Sequence, residues 1–230
     1  MEDDLDISNK AKALEWPYIS SDDLATLPDA LRAREVTDFI ELWITEGVPA
    51  SFKTKPFAFQ VLRNRFKENI GVKSGTMSIA GSGRFGFSLS PKRYGQEFDT
   101  ARSDLDFFLI EQGVFGRLST EFKNWKRLYE ERKISPLENA ETIYWPENKE
   151  RGSDQIRRGF IDTKFIPNRQ DFPFKMKIAD AEYKAGQDAK RIHPFEIEKV
   201  VSLRVYRDVD AFKQQISINL RALRYETTNR

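Results

Sequence analysis

The sequence predicts an α/β (α+β) domain, a small mixed sheet with helices packed on it, and three observations carry that expectation. Two short β-prone runs, Thr76 to Ala80 and Leu105 to Ile110, lie either side of a glycine-rich turn. A third run alternates Val201, Leu203 and Val205 with Ser202, Arg204 and Tyr206, the period of a half-buried strand. Around these runs, apolar residues recur at three- and four-residue spacing, as they do on buried helix faces. Strands interleaved with helices in this way pack in layers around one core.

Taken in order, residues 1 to 20 read as an irregular arm with Trp16-Pro17-Tyr18 as an anchoring patch. Residues 21–230 read as a single domain, with its core at about 56–166 and a C-terminal extension at 167–230. Val36, Phe39, Ile40, Trp43 and Ile44 mark one buried helix face, and Gly47 and Pro49 end that helix. A second helix starts near Pro56 and carries Phe59, Leu62, Phe66 and Ile70. After the Leu105 strand, Phe115, Leu118, Phe122, Trp125, Leu128 and Tyr129 mark a long amphipathic helix. The stretch from Ile134 to Gly152, punctuated by proline, asparagine and charge, is expected to be a loop or short helix. Gly159 to Ile166 reads as a further strand closed by Pro167, and Ile178 to Arg191 as a polar helix. Asp208 is placed to cap a last helix with Phe212, Ile216, Leu220 and Leu223.

Composition excludes several chemistries. The chain has no cysteine, so disulfides, thiolate metal sites and cysteine nucleophiles are out, and a reducing cytoplasm is the expected compartment. One histidine, His193, leaves no multi-histidine metal site, and its place before Pro194 in a loop favours a structural role. The acidic start lacks a secretory pattern, and no apolar run approaches the roughly 20 residues that cross a bilayer, so no membrane partner is expected. Thirty-eight basic residues oppose 36 acidic ones, so any nucleic-acid surface must come from local clustering. Lys123, Lys126 and Arg127, then Lys184, Lys190 and Arg191, then Arg221, Arg224 and Arg230 are such clusters, though acidic neighbours make solvated helix faces the simpler reading.

The chemistry concentrates in Gly81-Ser82-Gly83-Arg84-Phe85-Gly86 and in Ser103-Asp104-Leu105-Asp106. Two aspartates at i and i+2 on a strand share a face, and close carboxylates repel each other unless a cation lies between them. Magnesium suits that place, since a hard cation takes oxygen ligands and keeps water and phosphate in its shell. Glycine and serine after a strand allow a tight turn with amides and a hydroxyl beside a phosphate.

Strand, Gly-Ser turn and Asp-x-Asp together resemble the DNA polymerase β-like nucleotidyltransferase superfamily. The resemblance implies a polymerase β-like fold. It also implies transfer of a nucleoside monophosphate from a nucleoside triphosphate, such as ATP, with two Mg2+ (or Mn2+) ions. It maps the phosphate-binding turn onto Gly81 and Ser82, with Arg84 beside the leaving phosphates or on the surface. Two metal ligands map onto Asp104 and Asp106. The third carboxylate, on a later strand, is best matched by Asp162, whose plainer reading is a solvent-facing residue or a partner for Arg157 or Arg158. The acceptor is left open: RNA, a nucleotide, a small molecule or a protein. The interval from Gly-Ser to Asp-x-Asp is long for the family, and Ser90 to Ser103 reads either as a lid with Lys92 and Arg93 on phosphates or as a solvated loop. The stretch is also similar to bacterial nucleotidyltransferase-domain proteins reading Gly-Ser-x-Arg-x-Gly-Phe-Ser-Leu, whose genomic company implies antiviral defence or a toxin–antitoxin role with a cognate partner protein. Two other classes compete: a nucleotide-sensing or protein-binding module without turnover, and a metal-dependent nuclease using Asp104, Asp106 and Asp162 with Lys164.

Overall fold

The computed structural model describes residues 7–14, 16–193, 195–196 and 200–228. Among them, four strands form one mixed sheet: β1 (Met77–Ile79), β2 (Leu105–Ile110), β3 (Phe160–Asp162) and β4 (Val201–Tyr206), in the order β1-β2-β4-β3. β1 runs antiparallel to β2, β2 parallel to β4, and β3 antiparallel to β4. The chain is therefore a mixed α+β fold, as the spacing predicts.

The period of two sorts each strand onto two faces. Met77, Ile79, Leu105, Phe107, Leu109, Ile161, Val201, Leu203 and Val205 belong to the larger core. Covering it are α4 (Pro56–Ile70), α6 (Gln112–Glu130), α7 (Asn139–Arg157) and α8 (Pro173–Ile192). These helices bring Phe59, Leu62, Phe66, Leu118, Phe122, Trp125, Trp145 and Ile178. The opposite face presents Phe108, Phe160 and Tyr206 to α9 (Val209–Thr228), α2 (Ser21–Ala30) and α3 (Ala33–Phe39). Phe108 stacks on Phe212 of α9 at 4.7 Å between ring centroids. Asp208 caps α9, its Oδ1 accepting from the Ala211 amide at 2.8 Å.

The helix expected around Phe39 continues past α3 as a π-helical segment, Ile40–Thr45, and Gly47 takes a φ of +72°. Within the N-terminal arm, α1 (Asn9–Ala13) forms, and Ser8 donates from its backbone and hydroxyl to Glu35. Trp16 packs edge-on against Trp43, as an anchor should; residues 1–6 and 15 of the arm lie outside the described residues.

Two expectations change. The stretch after Ile134 is not a loop or short helix, because α7 spans 19 residues with Pro146 inside it. Tertiary packing overrides the proline. Trp145 meets the Trp125 and Tyr129 rings edge-on, and Gly152 lies so close to Phe122 that a Cβ there would fall 2.2 Å from the ring. The strand expected to run from Gly159 to Ile166 stops at Asp162, and a 3-10 turn, Thr163–Phe165, follows it.

Candidate active site at the β1–β2 turn

β1 ends at Ile79, and the Ala80 amide donates to the Asp106 carbonyl at 2.8 Å. The chain then turns into the five-residue helix α5 (Gly81–Phe85). Gly81 sits at φ +61°, a left-handed conformation that an L side chain adopts at a cost. A methyl group on it would lie 3.5 Å from Asp106 Oδ2, so the turn and the carboxylate are neighbours. On the other side of Asp106, the Ser202 hydroxyl of β4 donates to Oδ1 at 2.7 Å. Asp106 is exposed, and half-buried Asp104 stands just before β2.

Gly81, Asp106, Ser202, Arg204 and Asp162 all line one cavity of about 390 Å³ between the sheet and α9. It collects Gly81 of the expected phosphate turn and two of the three expected carboxylates. Asp104 and Ser82 are not among its lining residues.

Asp162 is placed differently from the expectation. It lies on β3, opposite Arg204 of β4, while Asp106 lies opposite Ser202. Two strand spacings of about 4.8 Å and a two-residue offset put the Asp106 and Asp162 backbones roughly 12 Å apart. Asp162 instead receives Arg204 in a bidentate pair, Nε to Oδ1 at 2.6 Å and Nη2 to Oδ2 at 3.0 Å. Gln155 of α7 adds Nε2 to Oδ2 at 2.7 Å and accepts from the Asp162 amide at 2.8 Å. Burial alone pushes the Asp162 carboxyl up, but the Arg204 hydrogen bonds and charge, with Gln155 and Lys164, hold it below the ordinary value. Burial likewise lowers Arg204, and Asp162 more than reverses it. Among the described residues, no group of three His, Asp or Glu side chains is arranged to hold a metal ion.

Asp162 is thus committed to Arg204, and among the described residues the three aspartates are not gathered as a two-ion set or a nuclease centre would gather them. Asp104 and Asp106, two residues apart in the chain, are the carboxylates left for a single hard cation. Magnesium commonly needs one or two carboxylates and fills its shell with water and phosphate oxygens. The Asp106 carboxylate meets that need, exposed beside Gly81 and oriented by Ser202.

Arg84 has a different role from phosphate contact. It is 2% exposed, and its guanidinium donates to the carbonyls of Trp43, through Nε, and Glu46, through Nη2. Burial pushes it down to about 10. It fastens α5 to the end of the π-helical segment. The Ser90–Ser103 loop is likewise tied down. The Tyr94 hydroxyl donates to Ser21 O at 2.7 Å, the Ser88 amide to Gln96 O at 2.7 Å, and the Phe98 amide to Gly86 O at 2.8 Å. His193 is half-buried between the Phe52 and Phe195 rings, away from the cavity. The basic residues of α6 and α8 lie on helices that cover the far face of the sheet. The Arg224 side chain and Arg230 lie outside what is described.

Sequence reasoning missed Ser202 and Arg204. Their signal was the polar half of the Val201–Tyr206 alternation, which reads as a solvent face until β4 is known to be an interior strand. Compared with protein-family models, curated proteins and solved structures, the chain matched none. No described helix is long and apolar enough to cross a membrane.

Proposed function

We propose that the chain is a metal-dependent nucleotidyltransferase of the polymerase β-like type, moving a nucleoside monophosphate from a nucleoside triphosphate to an acceptor hydroxyl. The observation that supports it most is the meeting of the Gly81 turn and Asp106 at the mouth of one cavity. Asp104 and Asp106 hold the divalent ion, magnesium or manganese, which supplies charge neutralisation for the triphosphate when bound. Gly81 lets the backbone come close to the phosphates, and Ser82 offers them a hydroxyl. Ser202 fixes the rotamer of Asp106 through its hydrogen bond to Oδ1. Arg204 and Asp162 form a rigid, charge-balanced wall beside the reacting groups. The acceptor oxygen bonds to the α-phosphorus, the bond to pyrophosphate breaks, and the hydroxyl proton leaves by way of Asp106 to solvent. Positioning and charge neutralisation carry such a reaction, with little covalent work for the protein.

Label transfer from each α-labelled nucleoside triphosphate with magnesium tests this reading, comparing the native chain with Asp104→Ala/Asp106→Ala. Transfer reduced at least about a hundredfold in the double variant supports it. A second reading, a nucleotide sensor without turnover, is favoured by the commitment of Asp162 to Arg204. Magnesium-dependent nucleotide binding with no label transfer would select it. A role in antiviral defence, or beside a cognate partner protein, belongs to the same proposal and rests on the Gly81–Leu89 resemblance.

A further inference from the structure

The cavity behind Asp106 is lined mostly by apolar residues. Its volume of about 390 Å³ falls within the roughly 300–1,000 Å³ typical of small-molecule sites. Its walls include Ile44, Phe85, Phe108, Ile216 and Leu220, and its polar side chains are Asp106, Asp162, Ser202, Arg204, Tyr206 and Asn219. Arg204 is matched by Asp162, while Asp106 has a neutral partner in Ser202. Beyond the ion's place at Asp106, a phosphate deeper inside would meet no cation that lacks its own counter-ion, since Arg204 is paired with Asp162, so the interior disfavours anions. Two of the basic clusters lie across the sheet on α6 and α8, and of the third Arg221 stands exposed on α9.

We infer that this cavity binds the acceptor, and that the acceptor is an uncharged small molecule with a flat apolar ring and a terminal hydroxyl. The ring packs on Phe108 under α9, and the hydroxyl points to Asp106, beside the Gly81 turn where the phosphates lie. The acceptor role rests on the nucleotidyltransferase reading; the ligand class rests on the cavity alone.

Indole-3-ethanol is the probe, with its phosphate ester as charge control and a 12-nucleotide RNA as polymer control, measured by calorimetric titration. The expected result is binding of the alcohol, at least tenfold weaker binding of the ester, and no competition by the RNA. Ala222→Phe places a ring at the exposed rim of the cavity, and Leu220→Trp fills its interior; each is expected to weaken the alcohol at least tenfold. The rim variant perturbs no buried packing, so it keeps the test valid if Leu220→Trp fails to fold. Absence of alcohol binding, equal binding of the ester, displacement by RNA, or full affinity in Ala222→Phe would each overturn the inference. Label transfer separates the two proposals. Alcohol binding with no transfer to any acceptor overturns the enzymatic reading and leaves the ligand class standing, whereas transfer to RNA without alcohol binding does the reverse.

Discussion

Replacing Asp162 by asparagine distinguishes a metal ligand from a counter-ion. If Asp162 serves Arg204, the variant leaves a guanidinium without its charge partner against the Phe160 ring, 5.0 Å away. Breaking a fully buried pair costs about 3–5 kcal/mol. Here the Asp162 side chain is 13% exposed and that of Arg204 33%, so water recovers part of the loss and about 2–3 kcal/mol is expected. For a chain of this length, each kcal/mol moves the melting midpoint by about 2–4 °C, so Tm should fall by about 4–12 °C. The dependence on pH has a definite sign. The folded carboxyl lies below its ordinary 3.8, so its stabilisation is complete above that value and drains away as pH falls through the folded one. The gap in Tm between the native chain and the variant should therefore be full at pH 7 and narrow below pH 3.8. Circular dichroism melts at both ends of that range, with manganese titration followed by electron paramagnetic resonance, make the assay. An unchanged Tm together with lost manganese affinity would refute the counter-ion reasoning and restore Asp162 to the metal.

Other substitutions probe separate parts of the site. Arg84→Met removes the donors to the Trp43 and Glu46 carbonyls, and about 2–5 kcal/mol of stability should go with them while nucleotide affinity stays within twofold; a large rise in nucleotide Kd with unchanged stability would return Arg84 to the phosphates. Gly81→Ala must place an L residue at φ +61°, costing about 1–2 kcal/mol, and label transfer should fall, with Gly81→Asn recovering part of it because asparagine tolerates that conformation. Gly152→Ala drives a methyl into the Phe122 ring, and urea unfolding should show a loss of about 1–3 kcal/mol with no effect on nucleotide binding.

Much of the fold is legible in the sequence because the strongest signals were periodic. The Leu105–Ile110 and Val201–Tyr206 strands fall where apolar runs and alternation put them, and the Pro56 helix ends at Ile70, followed by Gly71 at a φ of +75°. What stayed hidden was set by distant partners. The helix containing Pro146 exists because Trp145 and Gly152 pack on α6, and no local preference announces that. The site divides the same way. Asp106 and Gly81 were found from a motif, since each lies next to its strand end in sequence. Asp162 was assigned by position in the chain, and its true neighbour became visible only with the strand order, because β4 comes between β2 and β3. Arg84, next to the Gly-Ser turn in sequence, points instead into the interior, where its two carbonyl partners lie 41 and 38 residues away.

The hydrogen bond that orients Asp106 joins residues 96 positions apart, and at synthesis rates of about 5–20 residues per second its two halves leave the ribosome about 5–19 s apart. During that interval β2 can pair with β1 but has no parallel neighbour, and α9, which roofs the cavity, has not been made. The acidic pair is thus made well before its pocket, and the Ser202 partner that orients Asp106 follows it by 96 residues. Emergence of β4 and α9 is the event that assembles the site, so ribosome-tethered chains halted before residue 200 should carry the motif without the pocket.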